Sequence, residues 1–150
     1  MIYQEETFQA VIEDIKPLLE EHNKEVALYQ DEIELDPAYH MYEAMYQAGS
    51  LDIFTAREED TLVGYVLTFI HPSLHYQNDV FAVNDMLYVH PDYRHTEVAP
   101  TLLTELEKRM KEKGVSMMSF HMKTYKTFEA LMDFLGYDKA EFLFTKLIKE

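Results

Sequence analysis

Cysteine is absent from this chain of 150 residues, which excludes disulfides, thiolate nucleophiles and cysteine-based zinc or iron-sulfur sites together. Basic residues are scarce: 13 Lys and Arg stand against 28 Asp and Glu, a formal net charge of -15. A surface that grips phosphates along a nucleic acid needs dense positive charge, so no nucleic-acid partner is expected. Long apolar runs are missing too. No segment approaches the roughly 18 uninterrupted apolar residues of a membrane span, and the acidic start MIYQEETF does not read as a secretion signal. The expectation is a soluble cytoplasmic protein with no membrane partner.

What the chain does have is enough apolar material, 47%, for one core. Its length suits a single domain over residues 1–150 that buries about two thirds of the unfolded surface. The charge is unevenly placed. Residues 1–60 carry 16 acids against Lys16, Lys24 and Arg57, a balance of -13, whereas residues 61–150 carry 12 acids against 10 bases, a balance of -2. The first part favours a cationic partner and the second tolerates an anionic one. The same acids also read as a plain solvated face, and their grouping fits a regular mimic of nucleic acid less well.

Phe8, Val11, Ile12, Ile15, Leu18 and Leu19 recur at helical spacing, so a helix is predicted from Thr7 to about His22, with Pro17 as a kink or restart. Pro37 can open a second helix through Tyr39, Tyr42, Met45 and Tyr46, ended by Gly49. Residues 51–57, 61–70 and 81–89 read as strands, the last stopped by Pro91. Val98, Leu102, Leu103, Leu106 and Met110 form an apolar stripe before Lys111, Lys113 and Gly114, which marks a third helix. A strand over 115–121, a helix over 125–135 and a final strand over 140–148 complete the pattern. That final strand could also pair two copies into a homodimer. Strands alternating with helices in the second half predict an α/β fold with helices on both faces of a mixed sheet.

The block Leu87-Tyr88-Val89-His90-Pro91-Asp92-Tyr93-Arg94 leads into a helix, and Leu135-Gly136-Tyr137 ends a later one. With this element order, the chain resembles the GNAT acetyltransferase superfamily over nearly its whole length. The run His121-Met122-Lys123-Thr124 is similar to small GNAT-like proteins of bacteriophages. The resemblance implies a mostly antiparallel sheet with splayed central strands, and acetyl-coenzyme A as acyl donor. It implies that the turn after the strand holds the diphosphate, through Arg94, His95, Thr96, Glu97, Val98 and Ala99. Leu87, Tyr88 and Val89 would offer backbone groups to the thioester and the pantetheine arm.

A helix N-terminus offers unpaired N–H groups and a positive dipole end, which suits phosphate. The family's turn is usually rich in glycine, however, and this one has none. A side chain at His95 or Glu97 must avoid positive φ or carry strain. The Glu97 carboxylate within ~5 Å of a phosphate would cost about 3 kcal/mol at an effective dielectric near 20, unless it faces water. The turn also reads as ordinary helix capping, with Thr96 or Ala99 starting the helix and Pro100 in its first turn.

Acetyl transfer to an amine needs a base, oxyanion stabilisation and a proton for the thiolate. The resemblance points to Asp85 as base, with His121 on the neighbouring strand relaying a proton through water. Both also read as structural, Asp85 as a cap or a lysine partner and His121 as a satisfied half-buried side chain. The family's usual acidic tyrosine falls at Met132, so Tyr125 is the nearest substitute. Tyr39, Tyr42, Glu43 and His75 offer aromatic faces and charge to a cationic acceptor, though tyrosines at helical spacing are more often core. His71 and His75 lack a third ligand, and no metal is expected. The chain thus reads as an N-acetyltransferase acting on a small amine or protein amino group. The alternative is a noncatalytic GNAT-fold binding protein, a phage factor acting on a host protein or part of a virion.

Overall fold

The computed structural model describes residues 1–150. Strand β1 (Ile2–Glu5) precedes α1 (Phe8–Val26) and α2 (Tyr39–Gln47). Three long strands follow, β2 (Leu51–Glu58), β3 (Thr61–Pro72) and β4 (Val80–Val89), then a short 3-10 turn over Pro91–Tyr93. Helix α3 (Val98–Glu112), β5 (Met117–Ser119) and α4 (Glu129–Leu135) complete the elements. The strands form one sheet in the order β1-β2-β3-β4-β5. The first three pairings are antiparallel and only β4 with β5 is parallel, as the α/β expectation required.

Each face of the sheet carries its own core. On one face Phe8, Val11, Ile15 and Leu19 of α1 pack with Ile53, Tyr65, Leu67 and Tyr88, and α2 adds Tyr39, Tyr42 and Met45. On the other, Val98, Leu102, Leu103, Leu106 and Met110 of α3 pack with Val63, Val66 and Val89, and α4 adds Met132. The helical spacing of these apolar residues is the cause, since three- and four-residue steps keep one stripe toward the sheet. Thr7 starts α1 by accepting from the Ala10 N–H at 3.2 Å. Pro17 lies inside α1 on an exposed position, and the helix passes through it to Val26; the carbonyl it leaves unpaired can meet water there.

Several boundaries differ from the sequence expectation. The strand β1 was not anticipated: four mostly exposed residues carry too little alternation to signal a strand. Helix α1 runs four residues past His22, because its last turn is made of polar residues that interrupt the apolar stripe. The strand expected over 115–121 shrinks to Met117–Ser119, and the helix expected from 125 begins at Glu129. Residues 140–148 form no strand. They have strand-like composition but no ladder partner, and Phe142, Leu143 and Phe144 are exposed; a strand exists only through the neighbour it pairs with.

Two irregularities place the site. Between Leu67↔Met86 and Thr68↔Asn84 the β3–β4 register slips by one residue, which leaves Asp85 as the extra residue of a β-bulge. A bulge kinks its strand and re-aims a side chain. Meanwhile β4 and β5 pair only over Phe81–Val83. The Asn84 side-chain oxygen accepts from the His121 N–H at 2.7 Å as the last link, and beyond it β4 has no strand on that side.

Candidate active site

Asp85 therefore sits where the bulge and the divergence of β4 and β5 coincide. Its carboxylate accepts a hydrogen bond from the Tyr42 phenol at 2.7 Å. Tyr42 comes from α2 and lies stacked near Phe69, with ring centres 6.5 Å apart. The Asp85 residue has exposed surface, yet its carboxyl group is partly withdrawn from water. Desolvation raises its pKa, and the Tyr42 bond partly opposes the rise. The Tyr42 phenol is pushed up by burial and by the Asp85 charge, so it stays a donor at neutral pH. A carboxylate held above its ordinary range is a stronger proton acceptor than a free one.

Toward the carboxyl end of β4, Leu87, Tyr88 and Val89 are laddered to β3 on one side, and no strand pairs with their other edge. Gly64 opposite is tightly approached: a Cβ there would meet the Tyr88 carbonyl oxygen at 3.2 Å. The turn after β4 then enters α3. The Thr96 hydroxyl accepts from the Val98 N–H at 3.2 Å and donates to the Tyr93 carbonyl at 2.5 Å, but it stands one residue before the N-cap, which is Glu97. The N–H groups of His95, Thr96, Glu97 and Ala99 have no partner within the chain. His95 stands at φ 62, in the left-handed region where glycine is favoured. The Glu97 side chain is exposed and makes no capping bond, and Val98 points into the core. Free amides, a dipole end and a guanidinium at one strand end are groups that a diphosphate uses, and the fit is incomplete at His95, which stands at a glycine position, and at Arg94, whose guanidinium is already paired.

Arg94 is already engaged. Its Nε donates to the Val89 carbonyl at 2.8 Å, and its two terminal nitrogens each donate to Glu25 at 2.9 Å. Its guanidinium also lies over the Tyr88 ring, 5.7 Å from the centre. Lys126 approaches the same Glu25 carboxylate at 3.4 Å. The Arg94 bonds hold the Glu25 carboxyl below its usual range. His22, one turn earlier on α1, has its ring 5.4 Å from that of Tyr88, and burial pushes its pKa down.

The other expected residues are dispersed. His121 lies at the mouth of the gap, tied through its backbone, with its side chain exposed. The Tyr125 phenol donates to the Val26 carbonyl at 2.6 Å, which puts it at the level of Arg94, past Tyr88, rather than at Asp85. Tyr39 is near Tyr42 on α2, with the Lys16 ammonium 5.1 Å over its ring. Glu43 accepts from Gln9 at 2.5 Å. His75 lies in the loop before Val80, five or more residues from Asp85 along β4, which at about 3.4 Å per residue is roughly 17 Å away. His75 therefore does not join the cluster. Sequence reasoning missed His22 and Glu25 altogether. The signal was available, because both continue the three- and four-residue spacing from Leu18 and Leu19, but as polar residues they ended the apolar stripe.

Residues 12–134 match the profile of the acetyltransferase (GNAT) family, and the chain belongs to that family. A ribosomal-protein-alanine N-acetyltransferase from Brucella melitensis has the same fold, with 17% identity, 98% of this chain and 99% of that one covered, and a TM-score of 0.69. The aminoglycoside acetyltransferase AAC(6')-Iy in complex with a bisubstrate analogue superposes with a TM-score of 0.74, at 17% identity over 97% of this chain and 96% of that one. An aminoglycoside acetyltransferase from an uncultured soil metagenomic sample, in complex with sisomicin, gives 0.72 at 12% identity over 97% and 93% of the two chains. At such identities these likenesses show the fold alone. No curated protein matches the sequence.

Proposed function

We propose that residues 1–150 form a single domain that transfers an acetyl group from acetyl-coenzyme A to a small amine or a protein amino group. The observation that carries this reading is the Asp85 carboxylate, turned out by the bulge at the point where β4 loses β5, and held by Tyr42. In this reading the coenzyme supplies the acetyl thioester. Arg94 and the free amides of His95, Thr96, Glu97 and Ala99 hold its diphosphate, and the unpaired edge of Leu87, Tyr88 and Val89 lines its pantetheine arm. Asp85 removes the proton from the acceptor amine, directly or through a water that reaches His121. Tyr39 and Tyr42 give the acceptor aromatic surface, and Glu43 adds negative charge nearby. The acidic first 60 residues draw a cation toward them. Solved relatives of the fold that are named for aminoglycosides and for a ribosomal-protein alanine support an amine acceptor. Tyr125, bonded to the Val26 carbonyl, is left without a proton-transfer role, and a thiolate leaving group would be stabilised by water rather than by a side chain.

A second reading has its own observation. His95 carries strain where the family uses glycine, and Arg94 is bound to Glu25. That favours a protein which keeps the fold for binding. A homodimer, a phage origin and action on a host or virion protein belong to this second reading. Thermal unfolding with acetyl-coenzyme A separates the two. A dissociation constant near 10 μM gives about 2.7 kcal/mol of stabilisation at 1 mM ligand, and an unchanged melting temperature at that concentration favours the second. Release of free coenzyme A thiol with a panel of amines then identifies the acceptor.

A further inference from the structure

Three segments meet on one carboxylate. Arg94 from the turn after β4 binds Glu25 with two 2.9 Å bonds, and Lys126 from the segment after β5 approaches it at 3.4 Å. The Tyr125 phenol adds a bond to the next residue of α1, through the Val26 carbonyl. Both walls of the gap beyond β5 are thereby fastened to the last turn of α1. Resting on the coenzyme reading above, we infer that Glu25 is a resident anion in the diphosphate site, which coenzyme A displaces from Arg94 and Lys126 as it binds.

The position of Glu25 supports an occupant that is held but replaceable. A carboxylate in the last turn of a helix faces the negative end of the dipole, so α1 itself does not favour it there. The cations hold it. The pairs are partly open to water, with side-chain exposures of 29% for Arg94, 24% for Glu25 and 50% for Lys126, which weakens them by screening. A diphosphate offers more negative charge in a geometry that a guanidinium fork also matches. In a chain of net charge -15, two cations sharing one carboxylate form a small positive island once Glu25 leaves. The displaced turn leads directly into residues 27–38, and these connect to α2 and Tyr42. Coenzyme binding therefore loosens the connection on the acceptor side.

Calorimetric titration of coenzyme A into the full chain and into Glu25→Gln tests the exchange, with pantetheine, which lacks the diphosphate, as the control ligand. The expected result is coenzyme A binding about tenfold tighter in the variant, equivalent to ~1.4 kcal/mol, with pantetheine affinity the same in both. Equal or weaker coenzyme A binding in the variant, while the native chain binds, overturns the exchange and leaves the coenzyme reading standing. Silence from both proteins at 1 mM overturns both. Chymotryptic cleavage within 27–38 gives a second readout that does not depend on affinity. It should accelerate when coenzyme A is added to the native chain, and should already be fast in Glu25→Gln at a temperature where both chains are fully folded. Protection by coenzyme A, or a variant cleaved as slowly as the native chain, overturns the proposal.

Discussion

Tyr42 on α2 donates to Asp85 on β4 at 2.7 Å, joining residues 43 apart in the chain. The two groups act on each other in opposite senses. Burial raises the Asp85 pKa, and the Tyr42 proton counters that by stabilising the charged form. Tyr42→Phe removes the counterweight, so less of Asp85 is ionised at a given pH and the acidic limb of kcat/KM moves to higher pH. On that limb the rate should fall by roughly tenfold, the worth of one charge-assisted hydrogen bond, with little change on the alkaline side. Asp85→Asn should lower kcat/KM by about 10² to 10⁴ on the plateau above the limb and abolish the limb itself. A pH profile unmoved in Tyr42→Phe would remove Asp85 from the role of base.

The turn into α3 supplies a second prediction. His95 adopts φ 62, which costs an ordinary side chain about 1–2 kcal/mol relative to glycine. Glycine loses roughly 0.5–1 kcal/mol more backbone entropy on folding, so His95→Gly should raise stability by only about 0.5–1 kcal/mol. His95→Val, with a β-branched side chain in the same region, should destabilise by about 1–2 kcal/mol in urea unfolding. Because the glycine variant also clears the approach to the free amides of Thr96 and Glu97, it should tighten coenzyme A binding. Weaker binding in His95→Gly would mean that the imidazole itself contacts the ligand.

The parts legible in the sequence were those encoded locally. The stripe Val98, Leu102, Leu103, Leu106 and Met110 gave α3 almost to its ends. Gly136, at φ 84, caps α4 as expected of the Leu135-Gly136-Tyr137 motif. Asp85 was singled out by position, but its exposure by a bulge is a property of the register between two strands, which no single strand reveals. The Glu25–Arg94 pair spans 69 residues: helical spacing puts Glu25 on the stripe of Leu18 and His22, but the partner it meets there comes from the turn after β4. Tyr125 was placed at the reacting centre because its helix was expected to begin there. The helix begins instead at Glu129, and the residues before it reach back to α1. Residues 140–148 show the converse failure: their composition suggested a strand, while the ladder partner that decides the matter lies outside the segment.

A third prediction concerns the other end of the sheet. Asp52 is 2% exposed and accepts from Arg109 Nε and Nη2 at 3.0 and 2.8 Å and from Lys113 at 2.6 Å. Glu5 also pairs with Arg109. A hollow of about 240 Å³ lined by Glu5, Tyr46, Asp52, Arg109 and Lys113 lies beside them. Together these residues tie β1, β2 and the carboxyl end of α3. Removing one member of a buried pair leaves its partners uncompensated, at a cost of about 3–5 kcal/mol. Lys113 is partly in water and Arg109 keeps Glu5, so Asp52→Ala should cost about 3 kcal/mol in urea unfolding. Coenzyme affinity should not change, since the cluster is remote from Arg94. A loss below about 1 kcal/mol would show that solvent or Glu5 replaces Asp52 fully.

The pH dependence of stability follows from His22. Burial against Tyr88 holds the folded imidazole pKa below its ordinary 6.5, with Arg94 adding to the effect and Glu25 opposing it. The unfolded chain then binds a proton that the folded chain refuses. His22 therefore contributes stability above pH 6.5, and the contribution is lost as the pH falls toward the folded value. One proton taken up on unfolding changes stability by at most about 1.4 kcal/mol per pH unit, or ~3–5 °C in Tm at this chain length. Glu25 and Glu6 are both held below the ordinary 4.5. For Glu25 the Arg94 bonds are the main cause; for Glu6, desolvation pulls upward but is outweighed by bonds from Arg57 and Thr55. Their contributions are present above pH 4.5 and are lost only at lower pH. Two separate declines should appear in Tm measured from pH 8 to 3, one beginning near 6.5 and one below 4.5. His22→Gln should erase the first and keep the second, whereas Glu25→Gln should shrink the second. A first decline of undiminished size in His22→Gln would assign it to other histidines and leave His22 without a part in the acid response.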